Sequence, residues 1–227
     1  MLLPAGLTEL YPRVPYGHSI PYYTKKTTIY LAESGEKNER YVIPPYMESL
    51  RIRVIDLSDD FHLPYFRGLG LLTKLELVGN FDSPLVDLPA QLCVLILGAK
   101  FDQPICHPLS EALEWLEFGC DFNQPFGVFV PRSLRVLILG NRFNRPTLPM
   151  PAKLEYMVVG TGFNAPIAQF ARSLLMIWLP TQTCRVDLSS LSPKCLVYKT
   201  VLPVSSQIIA KHSRICLYED FEPIVSY

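Results

Sequence analysis

The sequence predicts a mainly β solenoid, a stack of coils of 20 or 21 residues that each contribute one short strand. Three recurrences carry that prediction. An apolar ladder, Leu-x-x-apolar-x-apolar-Gly, occupies residues 92–98, 113–119, 134–140 and 154–160. A Phe-Asn/Asp-x-Pro phrase follows each ladder, at residues 101–104, 122–125, 143–146 and 163–166. Proline then recurs before the next strand, at Pro89, Pro108, Pro131, Pro149 and Pro151. Proline rules out a regular helix there and favours an extended or polyproline-like return. With no helix on the outer side, the expected solenoid has low curvature.

Along the chain, residues 1–45 read as a Pro/Tyr-rich capping segment with Pro4, Pro12, Pro15, Pro21, Pro44 and Pro45 among Tyr11, Tyr16, Tyr22 and Tyr23. Thr27 to Leu31 reads as a strand and Tyr41-Val42-Ile43 as a second; either could pair with the first coil and cover an open sheet edge. The polar stretch 32–40 between them reads as an exposed loop. Residues 46–227 form the repeat solenoid, with clear coils over 52–186. The first coil sets Ile52, Ile55 and Leu57 ahead of Phe61-His62-Leu63-Pro64, and the second sets Leu72, Leu75 and Leu77 ahead of Phe81-Asp82-Ser83-Pro84. After Leu174, Ile177 and Leu179, both Phe and Pro are lost at Thr183-Cys184-Arg185-Val186. Degenerate coils over 187–227 begin at Cys195 and Ile215, and Ile208-Ile209 with residues 215–218 could close that end. Decay is expected where a terminal coil faces water or a partner.

Within a coil, the spacing Leu-x-x-Leu-x-Leu sends the last two apolar residues to one face of a strand. Glycine ends the strand by admitting a turn that other residues resist. Phe61, Phe81, Phe101, Phe122, Phe143 and Phe163 fall at one height in successive coils and predict a structural column of stacked rings. The Asn or Asp beside each ring can hydrogen-bond backbone in its own coil or the next.

These residues resemble the FNIP repeat, a short leucine-rich-repeat variety. The likeness lies in FNQP at Phe122, FDQPI at Phe101, FNAPI at Phe163 and the lead-in from Leu88 to Gly98, and covers residues 52–180. The resemblance implies a leucine-rich-repeat-like fold and a protein of amoebae or of a large DNA virus that infects them. It also implies binding rather than catalysis. Many relatives carry an F-box ahead of the repeats and look like ubiquitin-ligase adaptors; the first 45 residues contain no recognisable F-box.

Composition narrows the function further. Lys and Arg number 21 against 21 Asp and Glu, and no basic patch offers a footprint for nucleic acid. No apolar run reaches membrane-spanning length, and the first seven residues make a poor signal peptide. Cys93, Cys106, Cys120, Cys184, Cys195 and Cys216 occupy different places in the coil and include no C-x-x-C pair. They read as reduced thiols of an intracellular protein. Cys106-His107 is a bare adjacency, with His18, His62 and His212 at unrelated positions, so no metal and no cofactor are expected. Asp59-Asp60 and Glu219-Asp220 read as turn and terminal acids, and no nucleophile or phosphate-binding motif is present, so no enzyme is expected.

The informative departure lies between the repeated residues. Strand alternation turns Val94, Ile96, Trp115, Glu117, Val136, Ile138, Tyr156, Val158, Met176 and Trp178 outward, and nine of these ten are apolar. The flanking coils place Val54 and Asp56, Lys74 and Glu76, Val197 and Lys199, and Leu217 and Glu219 there. An apolar patch of this size on a soluble chain marks a covered surface. Either residues 1–45 fold across it or another protein does. The apolar nine are therefore the candidate partner-binding residues. The expected function is a non-catalytic interaction scaffold. It is read as a structural subunit of a larger assembly, a virus particle included, that binds itself or other subunits. The alternative is a soluble adaptor for a regulatory or ubiquitin-pathway partner.

Overall fold

The computed structural model of the chain describes residues 26–31 (backbone), 47–54, 66, 68–125, 129–146, 150–167, 169–180 and 187–200. Nine strands run through them: β1 (Lys26–Leu31), β2 (Ser49–Val54), β3 (Lys74–Gly79), β4 (Val94–Leu97), β5 (Trp115–Glu117), β6 (Val136–Leu139), β7 (Tyr156–Val159), β8 (Met176–Pro180) and β9 (Leu196–Thr200). They form one sheet in chain order, and every neighbouring pair is parallel. Each coil returns the chain to the same side before the next strand starts, so adjacent strands must run the same way. No helix occurs among the described residues. The fold is a leucine-rich-repeat-like β solenoid.

Register places Leu50, Leu75, Leu95, Leu116, Leu137, Met157 and Ile177 in one inward row. All are fully buried in the larger of two apolar clusters. Behind this row stand the phenylalanines. Phe81, Phe101, Phe122, Phe143 and Phe163 lie 5.8, 6.0, 6.0 and 6.0 Å apart, centroid to centroid, and successive ring planes differ by at most 13°. Phe118 replaces an aliphatic residue and packs on Phe122 at 3.8 Å.

Two turns close each coil around this core. Ahead of the strand, Leu92, Leu134 and Leu154 donate their amides to Pro89, Pro131 and Pro151 carbonyls three residues back. Ser110 and Ala171 serve Leu113 and Leu174 in the same way. After the strand, Phe101, Phe143 and Phe163 donate to Gly98, Gly140 and Gly160. The acids and amides beside the rings tie coil to coil. Amides of Asp102, Asn123, Asn144 and Asn164 donate at 2.8–3.0 Å to the side-chain oxygens of Asp82, Asp102, Asn123 and Asn144. The expected hydrogen bond is thus made to the next coil.

The glycines act differently from the expectation. Among those described only Gly79 is left-handed, with φ 75°. Gly98, Gly119, Gly140 and Gly160 are needed because the preceding coil is too close: a methyl on Gly140 would land on the Gly119 carbonyl, and one on Gly98 would lie 2.7 Å from Val78 Cα.

Register also moves both ends of the repeat. The expected first coil began at Ile52, with Ile55 and Leu57 as its inner residues. In the structure Leu50 and Ile52 pair with Leu75 and Leu77 and are buried, so Met47, Leu50 and Ile52 form the ladder. Met47-x-x-Leu50-x-Ile52 and Ile52-x-x-Ile55-x-Leu57 satisfy the same spacing, and only pairing with β3 chooses between them. The outward residues of β2 are accordingly Ser49 and Arg51. At the other end Val197 and Lys199 pair with inward Ile177 and Leu179, which leaves Leu196 and Tyr198 outward, not Val197 and Lys199. Cys195 still packs on the inner core, so this coil has one residue fewer between its lead residue and its strand.

The strand expected at Thr27 to Leu31 is β1, which pairs in parallel with β2. Phe61, Asp59-Asp60, residues 41–43, Cys184, Cys216, residues 208–209 and 215–218, Leu217, Glu219-Asp220 and His18, His62 and His212 lie outside the described residues.

Truncating Phe122 to Ala removes a ring from the middle of the column and should lower unfolding free energy by about 3–5 kcal/mol in urea titration. Gly140→Ala should cost about 1–3 kcal/mol through overpacking. Gly68→Ala, where nothing lies within 4 Å of the added carbon, should shift stability by less than about 0.5 kcal/mol. Equal effects at Gly68 and Gly140 would refute the close-approach account.

Candidate interaction face

Register builds the opposite face of the sheet as two rows. One contains Ser49, Lys74, Val94, Trp115, Val136, Tyr156, Met176 and Leu196; the other contains Arg51, Glu76, Ile96, Glu117, Ile138, Val158, Trp178 and Tyr198. The structure therefore brings all nine sequence-predicted partner-binding residues together. Eight of them, Val94, Ile96, Trp115, Val136, Ile138, Tyr156, Val158 and Trp178, form a buried cluster separate from the inner core, and Met176 packs on its margin. Trp115 is 0% exposed, and no member of this cluster exceeds 7%. Strands β4, β6 and β7 are buried on both faces. The face is thus closed within a single chain over most of its length.

Its two ends differ. Toward β2, apolar residues give way to an ion-paired group. Glu76 is 3% exposed and accepts from Arg51 Nε at 2.6 Å and Lys74 Nζ at 2.9 Å. Two cations on one carboxylate offset the cost of burying it. Inside the cluster, Trp115 Nε1 donates to Glu117 Oε2 at 3.3 Å, which gives the indole a polar partner and the one outward acid of the central strands a donor. Toward β9 the cluster opens. Tyr198 stacks on Trp178 at 5.4 Å, and Leu196 and Tyr198 remain 49% and 44% exposed, beside Val197 at 39%.

A third row skirts the start of the strands and was not singled out from the sequence. Arg135 reaches Glu155 at 2.8 Å in the following coil and Glu114 at 3.4 Å in the preceding one. Its guanidinium is held further toward the charged form, first by the Glu155 hydrogen bond. The available signal was alternating charge at one coil period: Glu114, Arg135, Glu155. A similar exposed row joins Lys100 and Arg142 to Asp121.

Cys93 borders the cluster. Burial pushes its thiol up, and the negative charge of Glu114 adds to the shift. Burial likewise raises Cys195. A thiol so shifted is a poor nucleophile at neutral pH. Among the described residues Cys93, Cys106, Cys120 and Cys195 are free thiols, and no group of three or more His, Cys, Asp or Glu residues could hold a metal ion. No described helix is long and apolar enough to cross a membrane.

Comparison with known proteins bears on the fold. The chain is similar to a solved circular leucine-rich-repeat protein, CroV588, with a TM-score of 0.64 and 23% identity over 79% of this chain. The match spans only 28% of that protein's length. No protein-family model matches the chain, and no curated protein does.

Two measurements test the site. Alkylation followed by mass spectrometry between pH 7 and 8 should modify exposed Cys106 well before Cys93; equal rates would contradict the burial of the cluster margin. Replacing Glu76 by Gln should lower stability by about 2 kcal/mol, since two charge-assisted bonds lose their charged acceptor. A neutral result would show that the ion pairs carry no net stability.

Proposed function

We propose that this protein is a non-catalytic protein–protein interaction scaffold of the FNIP-repeat kind. Its role would be that of a structural subunit of a larger intracellular or virus-particle assembly. The observation that supports this most is the outer face at the last described strand, where Leu196 and Tyr198 stay exposed. Apolar side chains on a strand carry the chemistry of a docking edge. Such a strand can accept another beside it, with backbone bonds for affinity and outward residues for specificity. Tyr198, stacked on the buried ring of Trp178, is a rigid aromatic anchor of the kind that dominates protein interfaces.

This reading divides the candidate residues. Val94, Ile96, Trp115, Val136, Ile138, Tyr156 and Val158 form a structural second layer, while Met176 and Trp178 support the docking end. The partner is a protein, either another copy or another subunit, that docks on the exposed side chains of β9.

Replacing Leu196 and Tyr198 together by Arg should abolish association by at least tenfold. Sedimentation of the purified protein and recovery in the native assembly would measure it. Circular dichroism should stay unchanged, and the melting temperature should fall only slightly from loss of the Tyr198–Trp178 stack, because both side chains are already half exposed. Undiminished association of a folded double variant would overturn the proposal.

A further inference from the structure

We infer that the turns ahead of β6, β7, β8 and β9 form a basic rail that holds an extended acidic segment of a protein partner. Each of these turns carries two residues at its apex, between the carbonyl and the amide that close it. Pro131 and Leu134 close the first around Arg132 and Ser133, and Pro151 and Leu154 close the second around Ala152 and Lys153. Ala171 and Leu174 close the third around Arg172 and Ser173, and Ser192 and Cys195 close the fourth around Pro193 and Lys194. One cation thus stands at each of four apices, and all four are exposed. The coil period separates them in sequence, so no run of basic residues marks the rail until the coils stack.

Charge elsewhere on the coil edges is arranged differently. The turns after the strands place Lys100, Asp121 and Arg142 in successive coils, and the acid pairs with both cations. Glu114, Arg135 and Glu155 alternate and pair in the same manner. Arg132, Lys153, Arg172 and Lys194 make no ion pair with any described residue. Like charges on adjacent coils repel one another, and equivalent turns fold without them. Gly70-Leu71, Ala90-Gln91 and Glu111-Ala112 fill the same two places ahead of β3, β4 and β5. The exposed acid Glu111 ends the rail on that side.

The rail fits a protein segment better than nucleic acid. It spans about 15 Å at about 4.8 Å per coil, the length of about five extended residues at about 3.3 Å each. Carboxylates at alternate positions then fall about 6.6 Å apart, within reach of long Lys and Arg arms, and each guanidinium offers a two-pronged donor to a carboxylate. Leu175 follows the third turn directly, and its carbonyl accepts the Leu196 amide that follows the fourth. Its side chain is 45% exposed where Glu114, Arg135 and Glu155 stand in earlier coils, which gives the segment an apolar contact beside the cations. Single-stranded nucleic acid draws on exposed aromatic rings for base stacking, and none of the four turns carries one. The rail uses none of the side chains proposed to dock at β9, so either site can fail alone.

Fluorescence anisotropy of a labelled peptide, glutamate alternating with serine and ending in leucine, tests the rail on the full chain at low salt. Arg132→Gln, Lys153→Gln, Arg172→Gln and Lys194→Gln combined should weaken binding at least tenfold. Lys100→Glu with Arg142→Glu lowers net charge by the same four, two reversals against four neutralisations, and should change binding by less than about twofold. The glutamine analogue of the peptide should not bind. Because the first variant breaks no ion pair, its dichroism and melting temperature should be those of the native chain; a marked fall would assign the four cations to the fold instead. No binding of the acidic peptide up to millimolar concentration, equal loss in the two variants, or tighter binding of a single-stranded thymidine oligonucleotide would each overturn the proposal.

Discussion

Every feature of this protein depends on keeping one coil a strand's width from the next. Parallel strands sit about 4.8 Å apart, and the remainder of each coil must follow at a comparable distance or the stack splays. Two residue types meet that demand in opposite ways. The glycine after β4, β5, β6 and β7 vanishes to let backbone pass backbone, as Gly140 does against the Gly119 carbonyl. The phenylalanine fills the interior, and rings 6.0 Å apart act as spacers that set the wider side of the coil. The Asp and Asn ladder beside the rings then locks the turn of each coil to the one before.

A repeat built this way spends most of its sequence on itself. Inward leucines, rings, glycines, turn prolines and ladder amides recur because each coil solves the same packing problem. What distinguishes one coil from another is confined to the outward strand positions and to charged rows along the coil edges. Arg135 between Glu114 and Glu155 stitches three coils together. The outward rows are different. Their sixteen positions from Ser49 to Tyr198 pass from ion-paired, through apolar and buried, to apolar and exposed, and that order gives the described face two unlike ends.

The inner pattern was legible residue by residue, because a period of 20 or 21 with invariant leucine, phenylalanine and proline has one economical explanation. The ring column and the inward row from Leu75 to Ile177 stand where periodicity puts them. Legibility failed where the pattern is self-similar or thinned. Met47-Leu50-Ile52 and Ile52-Ile55-Leu57 share a spacing, and the coil at Cys195 is one residue short, so alternation alone turned Val197 and Lys199 to the wrong side. For the glycines the sequence marked the right positions but suggested conformational freedom as the reason; close approach between coils is visible only once two coils are side by side.

Sequence by itself determined the solenoid, the parallel order implied by it and the existence of an apolar outward stripe. These are local or nearest-neighbour properties, set by side-chain size and by one coil's fit to the next. Tertiary structure decided the register of the end strands, the pairing of Glu76 with Arg51 and Lys74, and the closure of the stripe over Trp115 against its opening at Tyr198. Burial belongs to the whole chain. Whether an outward tryptophan meets water depends on more than its own coil, and no period within the repeats carries that information.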